Sequence, residues 1–419
     1  MRPSPVRVAA FAAGAVLLLG LLRVRWVDPS TWTLADVAVY VRGGHALLDG
    51  ADLYAVRDQV LPFTYPPFAA ILFVPLALLG TGGAGVVVSV LSLLALLVVV
   101  AVSVGVVGPG PRPRVSSPPL LVGGLLLLAA LTTEAVQRTL ILGQVNLVLA
   151  ALVAVDLLVV PRRWRGVLLG LAIAVKLTPA VFLGYLLLRR EWAVLARVAA
   201  TVVATIVVGF VVAPSASATF WSGGASDLGR FGDEAAGYGN QALGAALDRF
   251  APGVPDVLWL VLVALVVVLA AAATWRTLGC HDHLAAVTAL AVGGLLVSPI
   301  SWTHHWVWVV PVMVVLLVRR WWLGLAVTFA VMYLPPMVLV AQAQLDVGAA
   351  QPVVDATWTI LGIGYLAALA RWPGSGLARR DREVEDRRAG EGRQVPGVEQ
   401  DLAAADPTPD DHLARRDHR

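Results

Sequence analysis

The chain has 419 residues, of which 58% are hydrophobic and only 14% are charged, with a formal net charge of +4 at pH 7 and a mean hydropathy of +0.80. Soluble domains are about 25% charged, so this composition excludes an ordinary soluble domain and indicates a membrane protein. The single cysteine, Cys280, excludes an intrachain disulfide and a cysteine metal cluster.

Apolar runs recur through the first 370 residues, and many are long enough to cross a bilayer. The first span is predicted over 6–22, which is too long and too poorly terminated for a cleavable signal peptide. After a first outer loop at about 23–66, further runs cover about 67–80, 84–107, 119–133, 145–160, 167–188, 193–213, 257–275, 284–300, 305–318, 321–341 and 353–370. The sequence therefore predicts an all-α polytopic membrane protein, with about 10–12 transmembrane or re-entrant helices and a helical first outer loop.

Arginine placement orients these spans, because short cytoplasmic loops carry an excess of basic residues. On this rule the stretches PRRWRG (161–166) and LRREW (188–192) both face the cytoplasm, although they flank a single apolar run. That run breaks at VKLTPA (175–180), where Pro179 removes a helical hydrogen bond. We therefore expect 167–188 to form two half-helices in a re-entrant hairpin, which is tolerated only inside protein or against a wet cavity. One segment between 67 and 160 must also be short or re-entrant, and the sequence does not say which.

Two regions are predicted, a membrane-embedded region over 1–371 and a tail over 372–419. The tail is charged, contains Pro and Gly and is poor in aromatic residues, so we expect it to be disordered and, from its arginines, cytoplasmic. Arginines beside membrane spans mostly report topology, and no nucleic-acid partner is expected.

The first outer loop contains the stretch DVAVY, in which Asp36 and Tyr40 are four residues apart and so share one face of a helix. Apolar neighbours would bury this helix against the membrane surface. Desolvation would then raise the pKa of the Asp36 carboxyl toward that of a useful base. The alternative is an aspartate that interacts only with the helix dipole, and the residues leave both open.

Two adjacent histidines, His304 and His305, follow the turn SPISW at the outer end of a predicted span. Neighbouring helical residues point about 100° apart, so at most one of them is expected to face a given cavity. Trp302, Trp306 and Trp308 are typical of a headgroup-level belt, which the histidines could join. Polar residues at membrane depth more often face the interior and mark a functional site.

Other polar side chains in apolar surroundings are candidates for substrate binding, and each could instead be interhelical hydrogen-bonding glue, worth under about 2 kcal/mol. Lys176 is the least easily dismissed, because it is the only lysine and an ammonium at depth needs a carboxylate, carbonyl or phosphate partner. Tyr65 lies in FTYPPF, where Pro66 or Pro67 would suit the first turn of a helix. The candidate binding residues are Tyr40, Arg42, Tyr65, Arg138, Gln144, Asn146, Lys176, Asn240 and Gln241.

Several stretches occur together in a characteristic order: DVAVY (36–40), GADLYAVRDQVLPFTYPPFAAILFVPLALL (50–79), GQVNLVLAALVAVDLL (143–158), GLAIAVKLTPAVFLGYLLLRREW (170–192), YGNQALGAAL (238–247) and LVSPISWTHHWVWVVP (296–311). As a set they resemble glycosyltransferase family 87, membrane-embedded transferases of the GT-C superfamily that use polyprenyl-phosphate-mannose. The resemblance covers about residues 30–320, whereas 108–118 and the tail carry no family signal.

The resemblance implies a multi-pass enzyme of the cell membrane whose active site faces outward. It implies the inverting transfer of a mannosyl residue from polyprenyl-phosphate-mannose to a glycolipid or glycan acceptor, with an α-1,2 linkage. An essential carboxylate of the first outer loop matches Asp36, which makes it the expected base for the acceptor hydroxyl. The HHW stretch lies at the active site in this family, so His304 or His305 is a rival base.

Phosphate recognition calls for cations or backbone amides, and Arg42, Arg138 and Lys176 are the candidates. No cofactor is expected, and the outer loops contain no DxD stretch, so no metal is expected either. Membrane lipids are the remaining expected partners.

Two rival functions remain open from the residues alone. In a secondary transporter, Asp36, Lys176 and the histidines would form a proton path; such proteins usually show paired inverted repeats, and only one Pro-broken hairpin is visible here. In a non-catalytic membrane protein of envelope assembly, the acidic first loop would be a docking surface.

Overall fold

The structure is a computed structural model that describes residues 33–55, 61–107, 119–223 and 237–372. The predicted first span at 6–22, the segment 108–118 and the tail beyond Trp372 lie outside the described residues. Within them the elements are helical, and the β-type contact is an isolated antiparallel bridge between Asn240 and Trp302. The predicted all-α class is confirmed.

Helices make up most of the described residues. In chain order the α-helices of the described residues are α1 Ala35–Leu48, α2 Pro67–Ala77, α3 Gly80–Val107, α4 Pro119–Thr132, α5 Glu134–Leu142, α6 Asn146–Leu158, α7 Val167–Val175, α8 Leu183–Leu188, α9 Trp192–Val212, α10 Pro214–Trp221, α11 Leu243–Phe250, α12 Asp256–Gly279, α13 His283–Val297, α14 Val309–Val318, α15 Trp322–Tyr333, α16 Pro336–Gln342, α17 Gln351–Asp355 and α18 Thr357–Arg371. The 3₁₀ helices are Thr178–Phe182, Thr303–Trp308 and Gly348–Ala350.

Several helices are long and apolar enough to span a membrane. These are α3, α9, α12 and the segment Trp322–Gln342. Two bent helix pairs, α4–α5 with an angle of 65° and α17–α18 with an angle of 55°, are further candidate spans if each pair is taken as one span. By contrast, α2 has 11 residues and α6 has 13, fewer than the roughly 17 needed to cross the hydrocarbon core. The short helices α2 and α6 and the bent pair α4–α5 fall where the sequence required a short or re-entrant segment, between 67 and 160. The chain is therefore a polytopic membrane protein, as predicted.

The segment 167–188 turns back on itself. Helix α7 ends at Val175, Lys176 is extended (φ −150°, ψ 134°), and the chain returns through the 3₁₀ turn that carries Pro179 and through α8. Arg165, just before α7, and Glu191, just after α8, form an ion pair of 3.3 Å. Because the two ends of the segment meet, the predicted hairpin is confirmed, and Lys176 lies at its tip.

The base of the hairpin is held by carboxylates and close helix packing. Asp156 accepts hydrogen bonds from the backbone N–H groups of Gly166 (2.7 Å) and Leu168 (3.1 Å), which caps the start of α7. A Cβ atom on Gly170 would lie 2.6 Å from Cβ of Thr201, so glycine permits the close approach of α7 and α9. These contacts fix the depth at which Lys176 is presented.

Candidate active site

Helix α1 is docked on the corner between α5 and α6. The backbone N–H of Leu34 donates to the carbonyl of Ile141 at 3.1 Å. At the corner itself Gly143 has φ +70°, and a Cβ there would lie 2.1 Å from Cγ2 of Val37. Glycine is required at this position by both the backbone conformation and the contact, and it brings Asp36 beside Gln144.

The Asp36 carboxyl has the environment predicted for a base. Burial raises the pKa of Asp36 above its ordinary value, while a hydrogen bond from Gln144 and the charge of Lys176 offset part of that rise. The predicted desolvation of this carboxyl is therefore confirmed. The charge of Lys176 acts on Asp36 from the hairpin tip, and no spacing in the sequence indicated that these two residues would be near each other.

Beneath Asp36 lies a buried network of two tyrosines and an amide. The hydroxyls of Tyr40 and Tyr65 are 3.1 Å apart, and they donate to Oε1 of Gln144 at 3.2 and 3.3 Å. The backbone N–H of Val145 donates to the Tyr40 hydroxyl at 3.3 Å. All three side chains are buried, so this network forms the floor of the site.

Lys176 joins the hairpin tip to the histidine turn. Its ammonium donates to Oδ1 of Asn146 at 3.1 Å and lies 3.2 Å from Nε2 of His305. It also lies 5.9 Å from the centre of the Tyr65 ring, within the range of a cation–π interaction. Of the partners expected for a lone lysine at depth, the structure supplies a carbonyl, that of the Asn146 side chain, and a carboxylate, Asp36, that acts on the ammonium through its charge. The imidazole of His305 was not expected.

The two histidines have different surroundings, and only one of them lines the cavity, as predicted from the angle between neighbouring residues. The backbone carbonyl of His304 accepts hydrogen bonds from Thr139 (3.1 Å) and Asn146 (3.0 Å), which fix the turn. The His305 ring bonds to the backbone of Ile300 and offers Nε2 to Lys176. His304 is buried, and its Nε2 has no hydrogen-bond partner among the described residues. Only His305 lines the neighbouring cavity.

That cavity has a volume of about 230 Å³. Its polar lining residues are Asn146, Lys176, Thr178, Ser298 and His305. The rest of its wall is mostly aliphatic and aromatic, and is contributed by α6, the hairpin, α13 and the histidine turn: Leu149, Ala150, Val153, Pro179, Val181, Phe182, Ala291, Gly294, Leu295, Val297, Ile300, Val307 and Trp308. One cation at the end of an apolar cavity is the arrangement that suits an apolar chain ending in a phosphate.

The structure does not bring every candidate residue into this cluster. Arg42 donates to the carbonyl of Leu61 at 2.9 Å, away from the cavity wall. Asn240 accepts from the backbone N–H groups of Ala242 (3.1 Å) and Ser301 (2.8 Å). Gln241 accepts from the N–H of Trp358 at 3.1 Å. Both amides are fully buried and hold the turn and the α17–α18 break, and their role in substrate binding stays a prediction.

Arg138 is exposed on α5, and its guanidinium lies close enough to His304 for their charges to interact. Arg138 is not among the residues that line the cavity. Thr139, the next residue, was missed by sequence reasoning because a threonine in an apolar helix usually bonds to its own helix, as Thr139 also does through the carbonyl of Ala135 (2.8 Å).

No group of three or more His, Cys, Asp or Glu side chains within the described ranges is arranged to hold a metal ion. The groups that the described residues offer for chemistry are a half-buried carboxylate, an ammonium with two neutral partners and an apolar cavity.

Comparison with known proteins gives a consistent set of relatives. The profile of glycosyltransferase family 87 matches residues 63–299, a stretch that includes Tyr65, Gln144, Asn146 and Lys176. No solved structure matches the chain.

Three curated relatives are similar over most of their lengths. A polyprenol-phosphate-mannose-dependent alpha-(1-2)-phosphatidylinositol mannoside mannosyltransferase of Mycolicibacterium smegmatis is 37% identical over 71% of the chain and 74% of the relative. The protein of the same name from Mycobacterium tuberculosis is 36% identical over 79% and 81%. A polyprenol-phosphate-mannose-dependent alpha-(1-2)-phosphatidylinositol pentamannoside mannosyltransferase of M. smegmatis is 35% identical over 75% and 77%.

Proposed function

The chain belongs to glycosyltransferase family 87, and from that premise we propose that it transfers a mannosyl residue from polyprenol-phosphate-mannose to a phosphatidylinositol mannoside through an α-1,2 linkage. The observation that carries this proposal is the hydrogen bond between Lys176 and His305 beside an apolar cavity, with the Asp36 carboxyl close enough for the charge of Lys176 to act on it. Membership of the family makes the chain an enzyme, which removes the two non-enzymatic alternatives.

The cavity is the proposed site of the donor. Its apolar walls suit the first isoprene units of the lipid, and the Lys176 ammonium at its polar end suits the phosphate. In a reaction that breaks the bond between C1 of mannose and the phosphate oxygen, negative charge accumulates on that phosphate. A preplaced ammonium stabilises this charge most where water is excluded.

Asp36 is the proposed base. The acceptor hydroxyl oxygen attacks C1 of the β-linked donor, its proton passes to the carboxylate, and polyprenyl phosphate leaves with the bonding electron pair. The result is an α-linked mannoside, formed in one displacement with inversion. A raised pKa helps a carboxylate in this step because its conjugate acid then holds the proton more firmly.

His305 is proposed as a positioning residue for Lys176. Its Nε2 accepts from the ammonium, so the same nitrogen is not available to deprotonate the acceptor while that bond is made. His304 is not among the residues that line the cavity, and its backbone carbonyl anchors the turn. This division favours Asp36 over either histidine as the base.

The site is proposed to face the outer side of the membrane, and the tail the cytoplasm. The arginine-rich base of the hairpin supports this orientation, because Arg165 and Arg189 lie at the end opposite to Lys176. The orientation would be tested by accessibility labelling of single cysteines placed at position 49 and at position 190 in a Cys280→Ser background.

The proposed function is tested with purified protein in lipid vesicles, radiolabelled polyprenol-phosphate-mannose and phosphatidylinositol mannosides of increasing mannose number. We expect a labelled glycolipid whose label is released by an α-1,2-specific mannosidase, and none when GDP-mannose replaces the lipid donor. The absence of product with every acceptor, while the M. smegmatis relative is active in the same vesicles, would overturn the proposal.

A further inference from the structure

We propose that the protein binds the phosphate headgroup of an anionic membrane lipid through Arg320 and Arg371, at a cluster centred on the buried Arg319. The Arg319 cluster consists of Asp282, Arg319, Arg320, Arg371 and Trp372. It lies outside the candidate active site, and the binding of a lipid there is independent of mannosyl transfer.

Arg319 ties together two segments that are distant in the chain. Its Nη2 donates to Oδ2 of Asp282 at 2.8 Å, and its Nη1 donates to the backbone carbonyl of Trp372 at 2.6 Å. Because Asp282 offsets the charge of Arg319, the net charge of the cluster comes from the remaining arginines. Arg320 is the neighbour of Arg319 in the chain and Arg371 is the neighbour of Trp372, so these bonds bring the two arginines into one cluster.

Three candidate membrane spans end at the Arg319 cluster. Helix α12 ends at Gly279, shortly before Asp282. The span Trp322–Gln342 begins directly after the turn that carries Arg320, and the bent pair α17–α18 ends at Arg371. The ends of apolar spans lie at the level of the lipid headgroups, so the cluster is within reach of a lipid phosphate.

The exposed side of the cluster is basic and aromatic. Arg320 and Arg371 are exposed, and neither forms an ion pair with a carboxylate of the described residues. The Arg371 guanidinium lies 5.3 Å from the centre of the Trp372 ring, a contact that orients it without neutralising its charge. Trp372 and Trp322 are 57% and 58% exposed. Guanidinium groups recognise phosphate through paired N–H donors, and exposed tryptophans favour the headgroup level, so this surface fits an anionic lipid.

The turn that carries Arg320 does not itself need a charged residue. Arg320 has φ +58°, a conformation in which glycine is the usual residue after a helix. The backbone N–H groups of Arg320 and Trp321 close this turn with hydrogen bonds of 3.0 Å each. At the other end of the span Trp322–Gln342 the chain makes the same type of turn with an uncharged residue, Gln344, at φ +49°. The positive charge of Arg320 is therefore not explained by the turn.

The cluster is remote from the candidate active site. Helix α13 begins next to Asp282 and leads to the histidine turn, and α14 leads from that turn back to Arg319. Because α13 has 15 residues, about 22 Å separates its two ends. Substitutions of Arg320 and Arg371 therefore leave Lys176 and its partners in place.

The test measures the melting temperature of the full chain in phosphatidylcholine nanodiscs, with and without about 30% phosphatidylglycerol, an anionic lipid that is not the proposed acceptor. We expect phosphatidylglycerol to raise the melting temperature of the wild type by about 3–5 °C, and this rise to shrink in about 1 M salt. The double variant Arg320→Gly/Arg371→Gln should lose most of the rise. In phosphatidylcholine alone, Arg320→Gly should melt no lower than the wild type, because glycine relieves the strain of the positive φ.

Two matched controls separate the charge from the turn and this cluster from the general surface. Gln344→Gly makes the same backbone change at the opposite end of the span and should leave the rise intact. Arg190→Gly removes another exposed arginine with positive φ (+54°), at a turn where only one candidate span, α9, begins among the described residues. This variant should keep at least about two thirds of the rise. Inorganic phosphate added to phosphatidylcholine nanodiscs should not reproduce the rise.

Several outcomes would overturn the proposal. An unchanged rise in the double variant would remove the two arginines as the lipid contacts, and the same rise with inorganic phosphate would mean that the cluster binds a free anion. An equal loss in Arg190→Gly would mean that the lipid responds to the whole basic surface. No rise in the wild type, with a melting temperature that falls in salt without phosphatidylglycerol, would assign the arginines to an acidic segment of the protein itself. None of these results depends on whether the protein transfers mannose.

Discussion

The Lys176 ammonium lies 3.2 Å from Nε2 of His305, although 129 positions separate the two residues in the chain. Asn146 secures the same junction from a third element, because its amide oxygen accepts from Lys176 and its amide nitrogen donates to the backbone carbonyl of His304. Three elements therefore meet at one cation: the hairpin tip, α6 and the histidine turn.

Loss of the cation should weaken the use of the donor. Lys176→Met is expected to lower kcat/KM for polyprenol-phosphate-mannose by about thirtyfold, which corresponds to about 2 kcal/mol for a charge-assisted hydrogen bond. The kcat/KM of Lys176→Arg should lie between those of the wild type and Lys176→Met, because a planar guanidinium keeps the charge but not the compact shape of the ammonium. Arg190→Met, at an exposed arginine, is the control, and equal activities of Lys176→Met and this control would contradict the assignment.

The two histidines should respond unequally. His305→Ala removes an acceptor of Lys176 and should lower kcat/KM by about tenfold. His304→Ala leaves its backbone carbonyl, which makes the bonds to Thr139 and Asn146, and should reduce thermal stability more than activity. Steady-state kinetics and melting curves of both variants provide the measurement. Wild-type kinetics in His305→Ala, or a larger kinetic loss in His304→Ala, would reverse the assignment.

Acidification should affect stability and activity in opposite directions. The pKa of Asp36 is higher in the folded protein than in the unfolded chain, so the folded state binds the proton more tightly. This group therefore contributes stability below its unfolded pKa, and that contribution is lost as the pH rises through the folded pKa. Activity needs the ionised base and should be lost as the pH falls through the pKa of the bound complex. Asp36→Asn should accordingly melt no lower than the wild type near neutral pH, and a clear loss of stability in this variant would contradict the raised pKa.

The base of the hairpin should matter to the site at its tip. Glu191 is buried and bonds to Arg189 at 2.6 Å and to Arg165 at 3.3 Å. Glu191→Gln should lower the melting temperature by about 5 °C and raise the donor KM, because the depth of Lys176 is no longer fixed. Melting curves and donor titrations check this, with Asp49→Asn, at an exposed aspartate of the first outer loop, as the control. A lower melting temperature with an unchanged donor KM would mean that the Glu191 ion pairs stabilise the fold but do not affect donor binding.

Local sequence patterns were enough to predict the long apolar helices and the break at 175–180, but not α5, α10 or α11, which lie between the predicted runs. A proline in an apolar run and basic residues at both of its ends are local signals, and the Arg165–Glu191 pair shows that the interpretation was right. Local sequence did not determine which of His304 and His305 faces the hairpin. It depends on which ring the 3₁₀ turn Thr303–Trp308 directs at the hairpin, and that turn is held by Thr139 and Asn146 from other helices.

Buried amides were the hardest residues to interpret from sequence. The sequence could not distinguish the roles of four amides in apolar surroundings: Gln144, Asn146, Asn240 and Gln241. In the structure, Gln144 and Asn146 meet charged groups, whereas Asn240 and Gln241 satisfy backbone groups of the turn and of the α17–α18 break. A buried amide must find partners wherever it lies, and only the tertiary packing decides whether those partners are catalytic.

Mannosyl transfer by Asp36→Asn, measured against Asp49→Asn at the opposite end of α1, tests most directly whether Asp36 is the base. We expect Asp36→Asn to lose about 10²–10⁴-fold in kcat and Asp49→Asn to retain full activity. Asp36→Asn should still insert into the membrane, melt like the wild type and bind the lipid donor. Transfer by Asp36→Asn at the wild-type rate would contradict the central claim that this carboxylate deprotonates the acceptor beside Lys176.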